Sequence, residues 1–358
     1  MRTIPVSQVK PGDQLAEDVL TKFGSVLFRR GQRMTAREIE ILDAFLIPSV
    51  QVLDEGEELP VSVVEPEPEP TVSPFQEAFD RTVRTLKKAF DAVRCGEPIP
   101  IGELRGNLEE LLEHIGEYHI LSPSGEKDRK KAEDAVWRSS VEVALTSYQI
   151  AVHLDEISER ERVQVALAGL LRDIGNAKLP LHILEKPGKL TPEEMEEIKK
   201  HPILGYQLLQ PIAALNRGVK LCALQHHERE DGSGYPMGVT KERIHPYAKI
   251  VAVADVFHAM TSDRKYRKAA SPFVVVEELY RQSFGKLNPK IVLAFIRRVT
   301  DLQVGTTVQL SDGRVGDIVF ADRREPTRPI VNVGGVFVNL ATERNLYIVK
   351  VISRSPTP

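Results

Sequence analysis

Cysteine is nearly absent: Cys95 and Cys222 stand far apart, in no paired spacing, among 358 residues. That excludes a disulfide framework and a thiolate zinc site. No window approaches the ~18 consecutive apolar residues of a membrane-spanning helix, and the opening stretch MRTIPVSQVKPGDQ has no apolar core of a signal peptide. Positive charge is not in excess either. The formal net charge is −3, which supplies no global electrostatic reason to bind a nucleic acid polymer. Aromatic residues make up only 6%, but hydrophobic residues at 42% and charged residues at 28% match folded soluble chains. The expectation is a cytoplasmic protein without membrane or nucleic-acid partners. At roughly 150 residues per domain it has two or three domains.

Residues 1–54 read as a small α+β module. Short β-like runs, Ile4 to Val9 and Val19 to Phe28, flank the turn signal Lys10-Pro11-Gly12-Asp13, Thr35 can cap a helix over AREIEILDAF, and a last strand lies near Val50 to Leu53. Residues 55–74 are rich in alternating Glu and Pro, the composition of an extended semi-rigid linker. A helical connecting segment, 75–130, follows. Its first helix sets Phe75, Phe79, Val83, Leu86, Phe90 and Val93 on one apolar stripe. The stripe either packs on the helix's own domain or forms a homodimer through the 75–93 helix. Residues 131–300 are almost purely helical, with Thr191, Pro192 and Glu194 forming a capping box. Residues 301–358 switch to strands around an Asp312-Gly313 turn, a small β module.

The chemistry-bearing residues lie in the helical part. In LLRDIGNAKLP, residues 170–180, the layout predicts a helix with Asp173 in its last turn, Gly175 just past it and Pro180 as a stop. A carboxylate there opposes the helix dipole by roughly 0.3–1 kcal/mol, whereas Arg172 suits it. His201 by itself is an ordinary histidine, and His226 and His227 could complement the end of the preceding helix. Asp255 shares a helix face with Ala248, Val251, Ala252, Ala259 and Ser262, and a carboxylate among small apolar side chains has to be paired, hydrogen-bonded or metal-bound.

HHEREDGSGYP, residues 226–236, resembles the signature HHExxDGxGYP of the HD-GYP family, whose characterised members are metal-dependent phosphodiesterases acting on cyclic di-GMP. LLRDIG, LEKPGKLTPEE, HPILGYQLL and VADVFHAMTSDRKYR follow the family's other segments in order. The resemblance implies a mainly α fold, an HD-type helical bundle flanked by the two small modules. It also implies a cluster of divalent ions, iron or manganese, held by Asp173, His201, His226, His227 and Asp255. Such ions generate a nucleophile near neutral pH and offset charge on the reacting phosphate. By the same resemblance Gly234, Tyr235 and Pro236 form the substrate loop, and Arg264 and Arg267 contact the phosphates of a cyclic dinucleotide.

Four positions depart from the family pattern. Histidine is replaced by Ser139 and, in the His-Asp pair, by Arg172; lysine becomes Asn176; and the second aspartate of ADVFDA becomes His258. The catalytic positions are therefore Asp173, paired with arginine rather than histidine, and Asn176. At ~4 Å and an effective dielectric of ~20, a guanidinium repels a divalent ion by on the order of 8 kcal/mol. The expectation is a degenerate centre in which Arg172 neutralises Asp173 and Asp255. The protein then binds a cyclic dinucleotide or a signalling partner. The alternative is a phosphodiesterase working with a reduced metal site of His201, His226, His227 and Asp255, with His258 recruited three residues after Asp255 on the same helix.

Overall fold

The computed structural model describes residues 2–20, 26–28, 30–45, 47–53, 73–121, 134–262, 271–299, 304–322, 325 and 327–353. It divides into two compact units, Met1–Val72 and Ser73–Pro358. The expected linker lies almost wholly outside the described residues.

In the first unit β1 (Arg2–Pro5) pairs antiparallel with β4 (Ser49–Val52), and β2 (Val19–Leu20) with β3 (Val26–Phe28). Sequence periodicity carries the first strand to Val9, but it stops at Pro5, whose ring offers no N–H to a ladder. Val6–Gln8 turn instead as a 3-10 helix. α1 (Ala36–Ala44) starts at Thr35, whose Oγ1 accepts the Glu38 N–H while the Glu38 carboxylate accepts the Thr35 N–H at 2.7 Å. Ile4, Leu15, Met34, Leu42, Val50 and Val52 make this unit's core.

The second unit opens with α2 (Pro74–Cys95), capped by Ser73 and ended by Gly96 at φ 80°, and α3 (Ile101–Glu113). Then come α4 (Ala135–Val152), α5 (Glu159–Leu171), a 3-10 turn at Ile174–Lys178, α6 (Leu181–Leu184), α7 (Pro192–Ile198), α8 (His201–Leu209), α9 (Arg217–Gln225), α10 (Pro246–Thr261), α11 (Pro272–Gln282) and α12 (Pro289–Val299). All six apolar residues of the α2 stripe are buried in one core with Leu104 and Leu108 of α3 and Val141 and Leu145 of α4. The stripe thus packs within its own unit.

α4, α5, α9 and α10 surround the centre of this bundle and meet through small residues. A Cβ added at Gly169 of α5 would lie 3.1 Å from Ala144 Cα of α4, so the two helices approach closely. After α12 come β5 (Thr307–Leu310), β6 (Val315–Phe320), β7 (Ile330–Val333), β8 (Val336–Asn339) and β9 (Ile348–Ser353), an antiparallel sheet of order β8-β7-β6-β5-β9. Gly313 at φ 89° makes the turn between β5 and β6. Phe273 of α11 enters the sheet's core beside Val308, Ile318 and Ile348, and Arg328 donates to Glu277 of α11 at 2.7 Å. The chain is mainly α-helical with a small C-terminal sheet, as its patterning implies. Among the described residues no helix is long and apolar enough to cross a membrane.

Candidate metal centre

α5 ends at Leu171 with Arg172 as its cap, and Asp173 lies beyond it, heading the 3-10 turn. Sequence places Asp173 in the helix's last turn, but the helix ends at Leu171, two residues before it. Gly175 is absent from the glycines with positive φ. Glycine is needed for a different reason: a Cβ there would lie 2.0 Å from His201 O and 2.5 Å from Gly205 N. This close approach sets Asp173 against the start of α8. Gly175→Ala must push the two segments apart, with an expected loss of about 1–3 kcal/mol in urea denaturation. An unchanged midpoint would contradict the account.

His201 opens α8, His226 caps α9 and His227 follows it. Backbone carbonyls orient two of the rings: His201 Nδ1 lies 2.8 Å from Ile198 O, and His226 Nδ1 lies 3.1 Å from both Cys222 O and Ala223 O. A carbonyl oxygen only accepts, so each Nδ1 carries a proton, and each Nε2 is turned away from those carbonyls as the nitrogen free to ligate. Those two Nε2 atoms stand 3.2 Å apart, and 3.3 and 3.5 Å from Asp173 Oδ1. Three lone pairs converging in buried space repel one another unless a cation or proton lies between them. Donors ~2.0–2.1 Å from a tetrahedral ion stand roughly 3.3–3.4 Å apart, so the triangle has the dimensions of a one-ion site. His227 completes a set of four donors within 4.8 Å of one another. Burial, with His226 and His201 beside it, holds the His227 pKa well below the usual imidazole value, leaving it neutral and able to ligate.

Arg172, 4% exposed, closes the other flank. Its Nε donates to Asp255 Oδ1 at 2.9 Å, Nη1 donates to Gly169 O at 3.0 Å, and Nη2 lies 3.1 Å from Asp173 Oδ2. Burial opposes this charge, but Asp173 and Asp255 outweigh it and raise the Arg172 pKa. Burial alone would likewise raise the Asp173 pKa, yet the guanidinium holds it well below the usual carboxylate range. A second ion would need Asp255 and the outer oxygen of Asp173, and Arg172 faces both. Asp255 is accordingly not among the four converging donors. The residues fit one divalent ion and not two. Such an ion, when bound, would acidify a water and polarise a phosphate oxygen.

Ser139 is half-buried on α4, and Asn176 Oδ1 is buried with no hydrogen-bond partner among the described residues. His258 stands apart from the donors, 2.7 Å from Thr146 Oγ1, 3.5 Å from the Tyr118 hydroxyl and 3.6 Å from Glu142 Oε2. Burial and the Arg172 charge push its pKa down to about 3. Because the folded value lies below the unfolded one of ~6.5, the unfolded chain takes up the proton first. Stability is therefore lost as pH falls below ~6.5, by about 1.4 kcal/mol per unit, or about 2 kcal/mol at pH 5. His258→Asn should remove that part of the slope between pH 7 and pH 5; an identical slope in both proteins would refute a neutral buried His258.

The motif loop folds back on the centre. The Tyr235 ring stacks on His227, with centroids 4.6 Å apart and planes at 23°, and Lys199 Nζ lies 5.9 Å above the same ring. Buried Glu228 fastens the loop by accepting the N–H groups of Met237 at 2.8 Å and Val239 at 3.1 Å. A Cβ at Gly234 would lie 2.4 Å from Arg229 N, so the loop needs glycine there, and Pro236 follows Tyr235 through a cis bond. Glu228 is missing from the sequence-derived site, although a carboxylate directly after two candidate ligands is itself a signal. Arg264 and Arg267 lie outside the described residues.

Residues 127–290 match the family model described as HD domain. The chain is 35% identical over 204 residues to Cyclic di-GMP phosphodiesterase PA4108 of Pseudomonas aeruginosa, covering 57% of this chain and 49% of that protein. It is 43% identical over 150 residues to Cyclic di-GMP phosphodiesterase response regulator RpfG of Xanthomonas campestris pv. campestris, covering 41% and 39% respectively. It therefore spans half or less of the length of these relatives. Among solved structures, Bd1817, a HDG"Y"P protein from Bdellovibrio bacteriovorus, superposes with a TM-score of 0.51 at 16% identity, over 82% of this chain and 97% of that one, a likeness of fold. Residues 127–290 are thus similar to an HD domain, and the curated proteins that match are named cyclic di-GMP phosphodiesterases; arginine stands at position 172, where the HD-GYP pattern has the histidine of its His-Asp pair.

Proposed function

We propose that this protein is a cytoplasmic cyclic di-GMP signalling module that binds its ligand, or a protein partner, without hydrolysing it. The observation that carries the reading is the Arg172 guanidinium spanning Asp173 and Asp255. Hydrolysis of a phosphodiester needs both an activated nucleophile and compensation of charge on the transferring phosphorus. A guanidinium supplies the second and not the first, because it has no open coordination position and does not ionise water. Ligand recognition falls to Gly234, Tyr235 and Pro236 with Arg264 and Arg267, and residues 55–74 link the 1–54 module to the rest. The names of the relatives, cyclic di-GMP phosphodiesterases, support the choice of ligand.

The four converging donors favour a second reading, a phosphodiesterase working with one iron or manganese ion on Asp173, His201, His226 and His227. Titration with cyclic di-GMP, followed by turnover assays with iron and with manganese, separates the two. Saturable binding with no turnover is the expected result. Turnover by the native chain equal to that of a Ser139→His, Arg172→His, Asn176→Lys variant would exclude the proposal.

A further inference from the structure

A second concavity lies at the C-terminal end of α4, roughly 15 Å along the helix axis from Ser139 at ~1.5 Å per residue. It encloses about 360 Å³ between the 3-10 turn at Ile115–Glu117, α4 and the last turn of α12. That volume suits a small ligand. Its walls are Ile115, Tyr148 and Val152, with Gln149, Arg297 and Arg298 as its chief polar groups, and no acidic side chain among the described residues lines it. Neither arginine has an ion-pair partner among the described residues. Two cations in the last turn of α12 would also suit that helix's negative end. A helix end, however, requires neither a concave apolar wall nor the second feature of this place. Gln149 is 5% exposed; its Nε2 donates to Tyr118 O at 3.3 Å, while its Oε1 is buried with no hydrogen-bond partner among the described residues. An amide with an unsatisfied oxygen and two guanidiniums without an ion-pair partner among the described residues, all lining one cavity, make an incomplete polar site.

We propose that this cavity binds a small organic anion with a flat apolar body and an N–H or O–H group. The carboxylate or phosphate head is held by Arg297 and Arg298, the body lies against Tyr148, Ile115 and Val152, and the donor reaches the Gln149 amide. Nothing in this assignment depends on the metal centre. Isothermal titration of the full chain with 4-aminobenzoate, 4-aminophenyl phosphate and inorganic phosphate tests it. One of the two aromatic anions binds saturably at one per chain, which decides between a carboxylate and a phosphate head, and inorganic phosphate binds more weakly. Replacing both arginines by alanine, at positions on the cavity rim, weakens binding by roughly tenfold or more. Val152→Trp, at a position 40% exposed, abolishes it by filling the cavity. Cyclic di-GMP binding is unchanged in both variants. Failure of both aromatic anions to bind, or binding unaltered in both variants, overturns the proposal.

Discussion

Arg172→Ala lowers the stability of the second unit by about 3–5 kcal/mol, the range for removing one partner of a buried ion pair. The size follows from what is left behind. Arg172 is 4% exposed and its charge is shared by Asp173 and Asp255, so alanine strands two partly buried carboxylates without their counter-charge. Urea denaturation followed by Trp137, the chain's single tryptophan, reports on this unit, because Trp137 packs edge-on against Phe90 of α2. Three further results belong to the same prediction. The defect shrinks at pH 4, where the stranded carboxylates can take up protons. Manganese restores part of the stability, since an ion can then occupy the vacated flank. Arg172→Lys does not restore it, because one compact ammonium does not span two carboxylates as a planar fork does. A loss under about 1 kcal/mol would mean that the guanidinium carries no buried charge pair.

The second large effect is on turnover. Ser139→His, Arg172→His and Asn176→Lys together should raise hydrolysis of cyclic di-GMP by at least ~10²-fold over the native chain, equivalent to about 2.7 kcal/mol of barrier. Arg172→His frees Asp255 and the outer oxygen of Asp173 and adds an imidazole donor. Ser139→His brings a further imidazole from α4, and Asn176→Lys returns a mobile cation. Arg172→His alone should recover part of the gain, and Ser139→His alone none, because the arginine would still cover the second position. The double variant lacking only the lysine separates charge on the phosphate from assembly of the ion site. Cyclic di-GMP binding should change much less than turnover in all of these proteins, which places the loss in chemistry rather than in recognition.

Much of this is legible in the residues themselves. The three-and-four spacing of Phe75 through Val93 marks the face that α2 buries, and Thr35 and Thr191 begin their helices with the reciprocal bonds that their sequences imply. These are local patterns, in which cause and effect lie within one or two turns. What the sequence does not show depends on contacts across the chain. Gly175 reads only as the residue just past a helix end; what requires glycine there is His201 O, which only the fold brings near. His258 reads as a spare ligand, but α10 turns it toward Thr146 and Glu142 of α4. The resemblance implies that Arg172 meets Asp173 and Asp255, yet it cannot say which oxygen of Asp173 faces which neighbour. That detail changes the reading. With Oδ2 toward the guanidinium and Oδ1 toward His201 and His226, the arginine stands beside an ion site rather than in place of it.

The metal content of the full chain, expressed with iron and manganese supplied and freed of loosely held ions, tests this arrangement most directly. The account predicts no more than one ion per chain, lost in His226→Ala, and two per chain once Arg172 and Ser139 are both histidine. Two ions per native chain would contradict it, because the guanidinium would then have to lie away from the carboxylates it is described as joining.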